Sequence, residues 1–420
     1  MTHNPGQTDD LNAQQRLNTR LLAFVLLYTV FAGALRKWVL FGGQASNLLL
    51  LGQILLPWFF YFAAPGRRER YLPVLLVFGG MLVLMALNPL NQTLYHGAFG
   101  VLLHGGFWLF AFHYLENKDL YRWDHLFGLM LAIVLIEVGL GIVQYGMPKD
   151  HIINRYSNES VTSIAFVGEA ARVTGTFSFV AGFSSWLLLV NLWVWGLAVW
   201  RRQTVLVSAL IAVSVVASLI SGARMALALT LLFGLIAYWH LLRHVPLHRP
   251  VFVLLLALAA ATTAFQSSAF LQQSWTNFAS RIQDGLRDEE YGRRTIGAVE
   301  EIINYRGDYA LLGTGLGGTY QGARLIWGES YHLLQYGGYE EEAERIVLEG
   351  GFVLLLTRAA LLFFFLRRLR IPFFAKALFF ALILFFAQTI FNAYNIVFFT
   401  FGLSILDWSY RQHETNPASG

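Results

Sequence analysis

Apolar residues fall into about twelve runs, each long enough to cross a hydrocarbon core roughly 30 Å thick. They centre on Val25–Leu40, Leu48–Ala63, Leu72–Leu87, Leu94–Leu115, His125–Tyr145 and Phe177–Trp200. Val205–Ile220, Ala226–Leu242, Val251–Phe270, Val347–Leu366, Phe373–Ile390 and Ala393–Ser409 complete the series. One long polar stretch, Gln272–Leu348, interrupts it. Backbone N–H and C=O groups need partners that lipid cannot supply, so the runs predict helices and the stretch predicts an extramembrane module. The expected fold is all-α: a polytopic helix bundle of about twelve transmembrane helices with one long loop module.

The corresponding division is a cytoplasmic tail over 1–20, nine spans over 21–271, the loop module over 272–348, three spans over 349–410 and a second tail over 411–420. No small-residue cleavage site follows Arg16 and Arg20, so the first run reads as a signal anchor.

Composition supports this class. Of 420 residues, 56% are hydrophobic and 13% charged, against about 25% charged in a soluble domain. The net charge of +5 does not indicate nucleic-acid binding, because the cationic residues cluster at segment ends. Cysteine is absent, which excludes disulfides and thiolate metal sites. Alternate connections are basic: Arg67–Arg70, Lys118 with Arg122, Arg201–Arg202, Arg243 with Arg249, and Arg367–Arg370. The positive-inside rule makes these loops and both termini cytoplasmic and the long polar stretch external.

Arg36, Lys37, Arg172 and Arg224 break that rule, each lying at the outer end of a run. Ionisable groups at such depth are costly and mark function by default, with snorkelling as the bland alternative. Arg172 and Arg224 adjoin predicted helix starts at Thr174–Gly175–Thr176 and Ser221–Gly222, and a helix N-terminus with an arginine is an anion site suited to phosphate. Glu137 and Arg358 fall inside runs and each needs a partner; they are candidates to pair with each other.

In the polar stretch, Tyr291–Tyr305 has an apolar helical face through Ile296, Val299, Ile302 and Ile303. Glu341, Arg345 and Glu349 share a helix face, readable as a solvated ion-pair ladder or as part of a site. Glu349 adjoins Gly350–Gly351, where another backbone or a substrate can approach closely. Gly313–Gly318 formally fits a dinucleotide fingerprint but lacks a βαβ setting, so a tight turn is expected. His332, alone of its kind in the stretch, has a pKa suited to proton transfer. His240, His244 and His248 are interrupted by Pro246 and have no accompanying carboxylate, so they read as a loop, and no metal site or cofactor is expected.

Taken in order, Arg36–Lys37–Trp38, Arg172–Ser178, Ser221–Arg224, Leu312–Gly317, His332 and Glu349–Gly351 resemble the O-antigen ligase and O-antigen polymerase superfamily of bacterial inner-membrane proteins. The resemblance covers nearly the whole chain. It implies a GT-C-like fold and metal-independent, inverting glycosyl transfer at the periplasmic face. The donor would be an undecaprenyl-diphosphate-linked glycan and the acceptor a sugar hydroxyl of a second glycan, giving a surface polysaccharide or a ligated O-antigen. Membrane lipids and other polysaccharide-assembly proteins would be its partners. Arg172 and Arg224, with Arg36 and Arg293, would bind the diphosphate, and His332 would act as base. The acidic insert Gln335–Glu344 departs from the ligase pattern and leaves Glu349 or Glu344 as alternative bases. A transporter or flippase of an anionic lipid or solute, or a non-catalytic member of an assembly complex, are the competing readings; the first would show repeated halves, the second would tolerate loss of the outer arginines.

Overall fold

A computed structural model describes residues 5–41, 44–157, 166–167, 170–287, 310–323, 327–328, 330–331, 334 and 342–415. The described chain is helical apart from a two-residue antiparallel ladder, β1 (Phe166–Val167) with β2 (Ala170–Ala171). The first helices are α1 (Pro5–Ala34), α2 (Gln44–Ala63), α3 (Leu72–Ala86), α4 (Leu94–Glu116) and α5 (Phe127–Gly146). They are followed by α6 (Val180–Trp200), α7 (Thr204–Ser221), α8 (Arg224–His244), α9 (His248–Ser267) and α10 (Ala269–Arg287). The last are α11 (Glu342–Arg367), α12 (Phe373–Ala381) and α13 (Ala393–Thr415).

Among the described residues, nine helices are long and apolar enough to cross a membrane, and Leu72–Ala86 and Phe373–Phe386 are shorter apolar helices. The protein is a multi-pass membrane protein. Its exposed surface agrees: Phe62, Leu76, Val77, Leu84, Phe252, Leu255, Phe363 and Phe373 all stand outward. Such side chains would associate in water and are at rest in lipid.

The chain divides into two compact units. One comprises Met1–Leu26, Asn47–Arg122 and Glu289–Thr400; the other comprises Leu27–Ser46, Trp123–Asp288 and Phe401–Gly420. The first is built around α4, whose residues from Leu103 to Leu115 are all buried, Phe107, Trp108, Phe110, Phe112 and Tyr114 among them. Thr93 starts it, its hydroxyl accepting from the His96 N–H at 3.2 Å. The second is built around α6, buried on every side through Trp186, Trp193 and Trp195 and packed on α7 and α8. A helix apolar all round belongs in such a position.

His240 and His244 lie in α8 and not in a loop. The helix runs up to Val245, the residue that Pro246 pushes out of the helical region. Tyr291–Tyr305 lies outside the described residues.

Candidate functional site

The second unit holds a turn, Thr174–Gly175–Thr176, between the ladder and α6. Gly175 has φ +55, and a Cβ there would collide with Glu137 Oε2, so the turn can approach the α5 carboxylate only with glycine. Glu137, fully buried, accepts from the Thr176 N–H at 3.0 Å and from the Thr176 hydroxyl. Two turns further along α5, Gln144 Oε1 accepts from the Thr174 and Gly175 N–H groups at 3.1 and 2.8 Å. Its amide nitrogen donates to Ile153 and Gly175 carbonyls at 2.9 and 3.0 Å. Every polar group the turn exposes toward α5 is therefore matched.

Arg36 and Lys37 ride on a π-helical segment, Leu35–Val39, that continues α1. Lys37 is 0% exposed, and its ammonium donates to Thr174 Oγ1 at 3.0 Å and to the Gly175 carbonyl at 2.6 Å. Arg36 donates to Ser46 Oγ and Ser178 Oγ, both at 3.0 Å. Neither side chain snorkels; both are buried and spent on fixing this turn. Gly33 permits it, because a Cβ there would lie 2.5 Å from the Thr176 carbonyl oxygen.

Arg172 and Arg224 behave differently. Both are half-buried. Gly222, at φ +63, ends α7, and Arg224 is the first residue of α8. Arg172 Nε donates to the Ser221 carbonyl at 3.1 Å, which brings the two arginines to one short turn. Ser221 Oγ accepts from the Ala223 N–H at 3.2 Å, tightening the turn, while Ala223 supplies no side-chain cap to α8. The start of α8, to which Ala223 gives no side-chain cap, thus stands beside two guanidinium groups, a combination that favours an anion.

The first unit holds a second glycine-bearing turn. α11 is broken at Gly351, which has φ +65. The break frees backbone groups, and residues 310–315 satisfy them. Thr314 and Gly315 N–H donate to Leu348 and Glu349 carbonyls at 2.9 and 3.0 Å, and Phe352 and Val353 N–H donate to Ala310 and Leu311 carbonyls at 2.8 and 3.2 Å. Non-helical backbone at this depth is tolerable only when its groups are satisfied in this way. The glycine-rich run is therefore a tight turn woven into a broken helix.

Glu349, 0% exposed, stands at the centre of this arrangement. Its Oε1 accepts from the Thr319 N–H at 2.9 Å and the Thr319 hydroxyl at 2.7 Å, and its Oε2 lies 3.0 Å from His104 Nε2. His104 Nδ1 is buried with no hydrogen-bond partner among the described residues. Arg345 is also buried, its guanidinium 4.9 Å above the Phe391 ring, so the predicted solvated ladder is absent where it is described; Glu341 lies outside the described residues. Arg358 pairs with Glu342 at 3.6 Å, and Glu342 accepts from the Thr389 hydroxyl and, at 2.8 Å, from the Ile390 N–H. Glu137 and Arg358 thus do not supply each other's partner; each finds one in its own unit.

Of the sequence candidates, Arg172 and Arg224 come together, Arg36 is a buried fastener, and Glu349 organises a turn. His332 and Arg293 lie outside the described residues. His104, Gln144, Thr319 and Glu342 were not singled out. His104 carried a usable signal, being an ionisable residue within a run that should be lipid-buried. The other three are ordinary polar residues whose role depends on which turn meets them. No protein-family model matches the chain, and neither a curated protein nor a solved structure does.

Proposed function

We propose that the protein transfers a glycan from an undecaprenyl-diphosphate-linked donor to a sugar hydroxyl, as a polysaccharide polymerase or a ligase of the O-antigen type. Twelve spans, cytoplasmic termini, a GT-C-like bundle and a bacterial inner-membrane location belong to this reading, with the polar stretch on the periplasmic side. The observation that carries it is the meeting of Arg172 with the Ser221–Arg224 turn at the uncapped start of α8. Diphosphate leaves readily once its developing charge is neutralised, and fixed guanidinium groups beside helix N–H groups do that without a metal. The hydroxyl oxygen attacks the anomeric carbon, the carbon–oxygen bond to diphosphate breaks with its electron pair, and the hydroxyl proton passes to a base. One displacement inverts the anomeric centre. The family resemblance offers His332 as that base, with Glu344 and Glu349 as alternatives; Arg293 would add to the anion site.

Arg172→Ala and Arg224→Ala each remove about 3 kcal/mol of transition-state stabilisation, a loss of roughly two orders of magnitude in rate. Arg→Lys restores little, since a point charge does not match two phosphate oxygens. The measurement is polymer formation from purified lipid-linked donor by protein recovered in normal yield. Near-normal chains from either alanine variant remove that residue from the site. His332→Ala retains donor binding and loses turnover; a normal rate transfers the base to a carboxylate.

A second reading rests on the broken α11 with its buried His104–Glu349 pair. Discontinuous helices with ionisable groups inside the bundle are how many transporters bind substrate and couple protons. Here the anionic lipid or solute would cross rather than react, and uptake by liposomes without product formation would favour it.

A further inference from the structure

At the C-terminal end of α8, a third histidine joins the pair that the sequence placed at i and i+4. His240, His244 and His413, the last from α13, each bring a ring nitrogen within 4.8 Å of the other two. The His240 and His244 rings stack at 4.1 Å, and the His413 ring lies 5.6 and 5.2 Å from them.

The protonation of these rings follows from their partners. His244 Nδ1 lies 2.9 Å from the His240 carbonyl, which can only accept, so the proton sits on Nδ1 and the lone pair on Nε2. His413 Nδ1 lies 2.6 Å from Arg202 Nη2, which can only donate, so its lone pair is on Nδ1. His240 Nε2 is buried with no hydrogen-bond partner among the described residues. Ring nitrogens of the three histidines thus gather within 4.8 Å of one another, and a cation already leans on the cluster, the Arg202 guanidinium. Arg202 itself is held at φ +51, a conformation a non-glycine residue adopts only under constraint.

We propose that His240, His244 and His413 form a binding site for a divalent transition-metal ion of the zinc type, which ties α13 to α8 and displaces Arg202 from His413. Three imidazoles suit such an ion, with the remaining position open to water. Metal–nitrogen bonds of about 2.0–2.1 Å put the ligand nitrogens roughly 3.4 Å apart, so closure needs side-chain rotation of about an ångström and no backbone change. The hydrogen bond from His244 Nδ1 to the backbone is the kind of outer contact that fixes a ligating ring. Arg202 and Arg243 oppose a dication electrostatically, so Arg202 tunes the site by competing with the metal.

The test uses the full-length, untagged protein in detergent, stripped with chelator and titrated with Co²⁺, with Zn²⁺ as competitor. The expected result is an equimolar visible absorption of tetrahedral type that Zn²⁺ abolishes. His244→Ala, whose side chain is exposed, and His413→Ala should each abolish it while leaving the helical circular dichroism unchanged. Arg202→Gln should tighten Co²⁺ binding about tenfold, since one like charge a few ångströms away is removed. No stoichiometric absorption, absorption retained in both histidine variants, or weaker binding by Arg202→Gln would each overturn the proposal.

Discussion

Two buried carboxylates, one in each unit, hold a glycine-bearing turn by the same pair of hydrogen bonds. Glu137 accepts from the N–H and hydroxyl of Thr176; Glu349 accepts from the N–H and hydroxyl of Thr319. They differ in what stands opposite. The Thr174–Thr176 turn receives the ammonium of Lys37, with both of its observed bonds made to that turn. Glu349 faces His104, which can hold or release a proton and whose other ring nitrogen has no partner among the described residues. One region is built to stay as it is. The other sets its carboxylate and a histidine next to a break in a helix.

The largest expected effect breaks the static side of this comparison. Lys37→Met deprives Thr174 Oγ1 and the Gly175 carbonyl of a charged donor and removes a positive charge that acts on buried Glu137. Two hydrogen bonds from a charged donor are together worth about 3–6 kcal/mol, enough to unfold a marginal protein. The variant should be recovered from membranes in much lower yield and unfold at lower temperature in detergent. Lys37→Met with Glu137→Gln should recover much of that loss, because neutralising both partners removes the unpaired charge. A double variant no better than the single would show that Lys37 acts through the turn alone.

That result bears on what could be read beforehand. The helical bundle was legible because lipid forces a run length on each span, and apolar runs of that length are plain in the chain. The arginines at the start of α8 were legible because a charge beside a predicted helix N-terminus is expensive without a purpose. Arg36 and Lys37 carried the same signal and proved to be fasteners, since a charge at depth announces cost and not kind. Glu349 was marked by its neighbouring glycines, which do mark a close approach, here of the 310–315 backbone. His104, Gln144 and Glu342 escaped because their partners are 245, 31 and 47 residues away, and local pattern does not encode separation of that size.

A smaller effect sharpens the other side. Gly351 has φ +65, and a Cβ there would strike the Leu311 carbonyl. Gly351→Ala must therefore strain the break or push the 310–315 turn away, at about 1–3 kcal/mol for a residue held in the left-handed region. The protein should still fold, because the rest of α11 is a regular apolar helix. On the proposed function, glycan transfer should be lost to a greater extent than folded protein, since the turn holds Glu349 in register. Proportional losses of stability and activity would make the break a packing feature only.

The smallest expected change in stability distinguishes the two carboxylates most directly. Glu349→Gln keeps an acceptor oxygen for the Thr319 N–H and hydroxyl, and its new amide can donate to His104 Nε2 once that ring moves its proton to Nδ1. Both contacts survive, so the cost should be about 1 kcal/mol, the order of one altered hydrogen bond. Glu137→Gln keeps an acceptor for only one of the two Thr176 donors, because the N–H and the hydroxyl bond different carboxylate oxygens, and it withdraws the negative charge that acts on buried Lys37, so it should cost several times more. Unfolding temperatures of the two variants in one detergent provide the check. If Glu349→Gln is as destabilising as Glu137→Gln, His104 carries a fixed positive charge and the two regions are built alike. If it is stable but loses turnover, the negative charge of Glu349 is required for chemistry that the fold itself does not need.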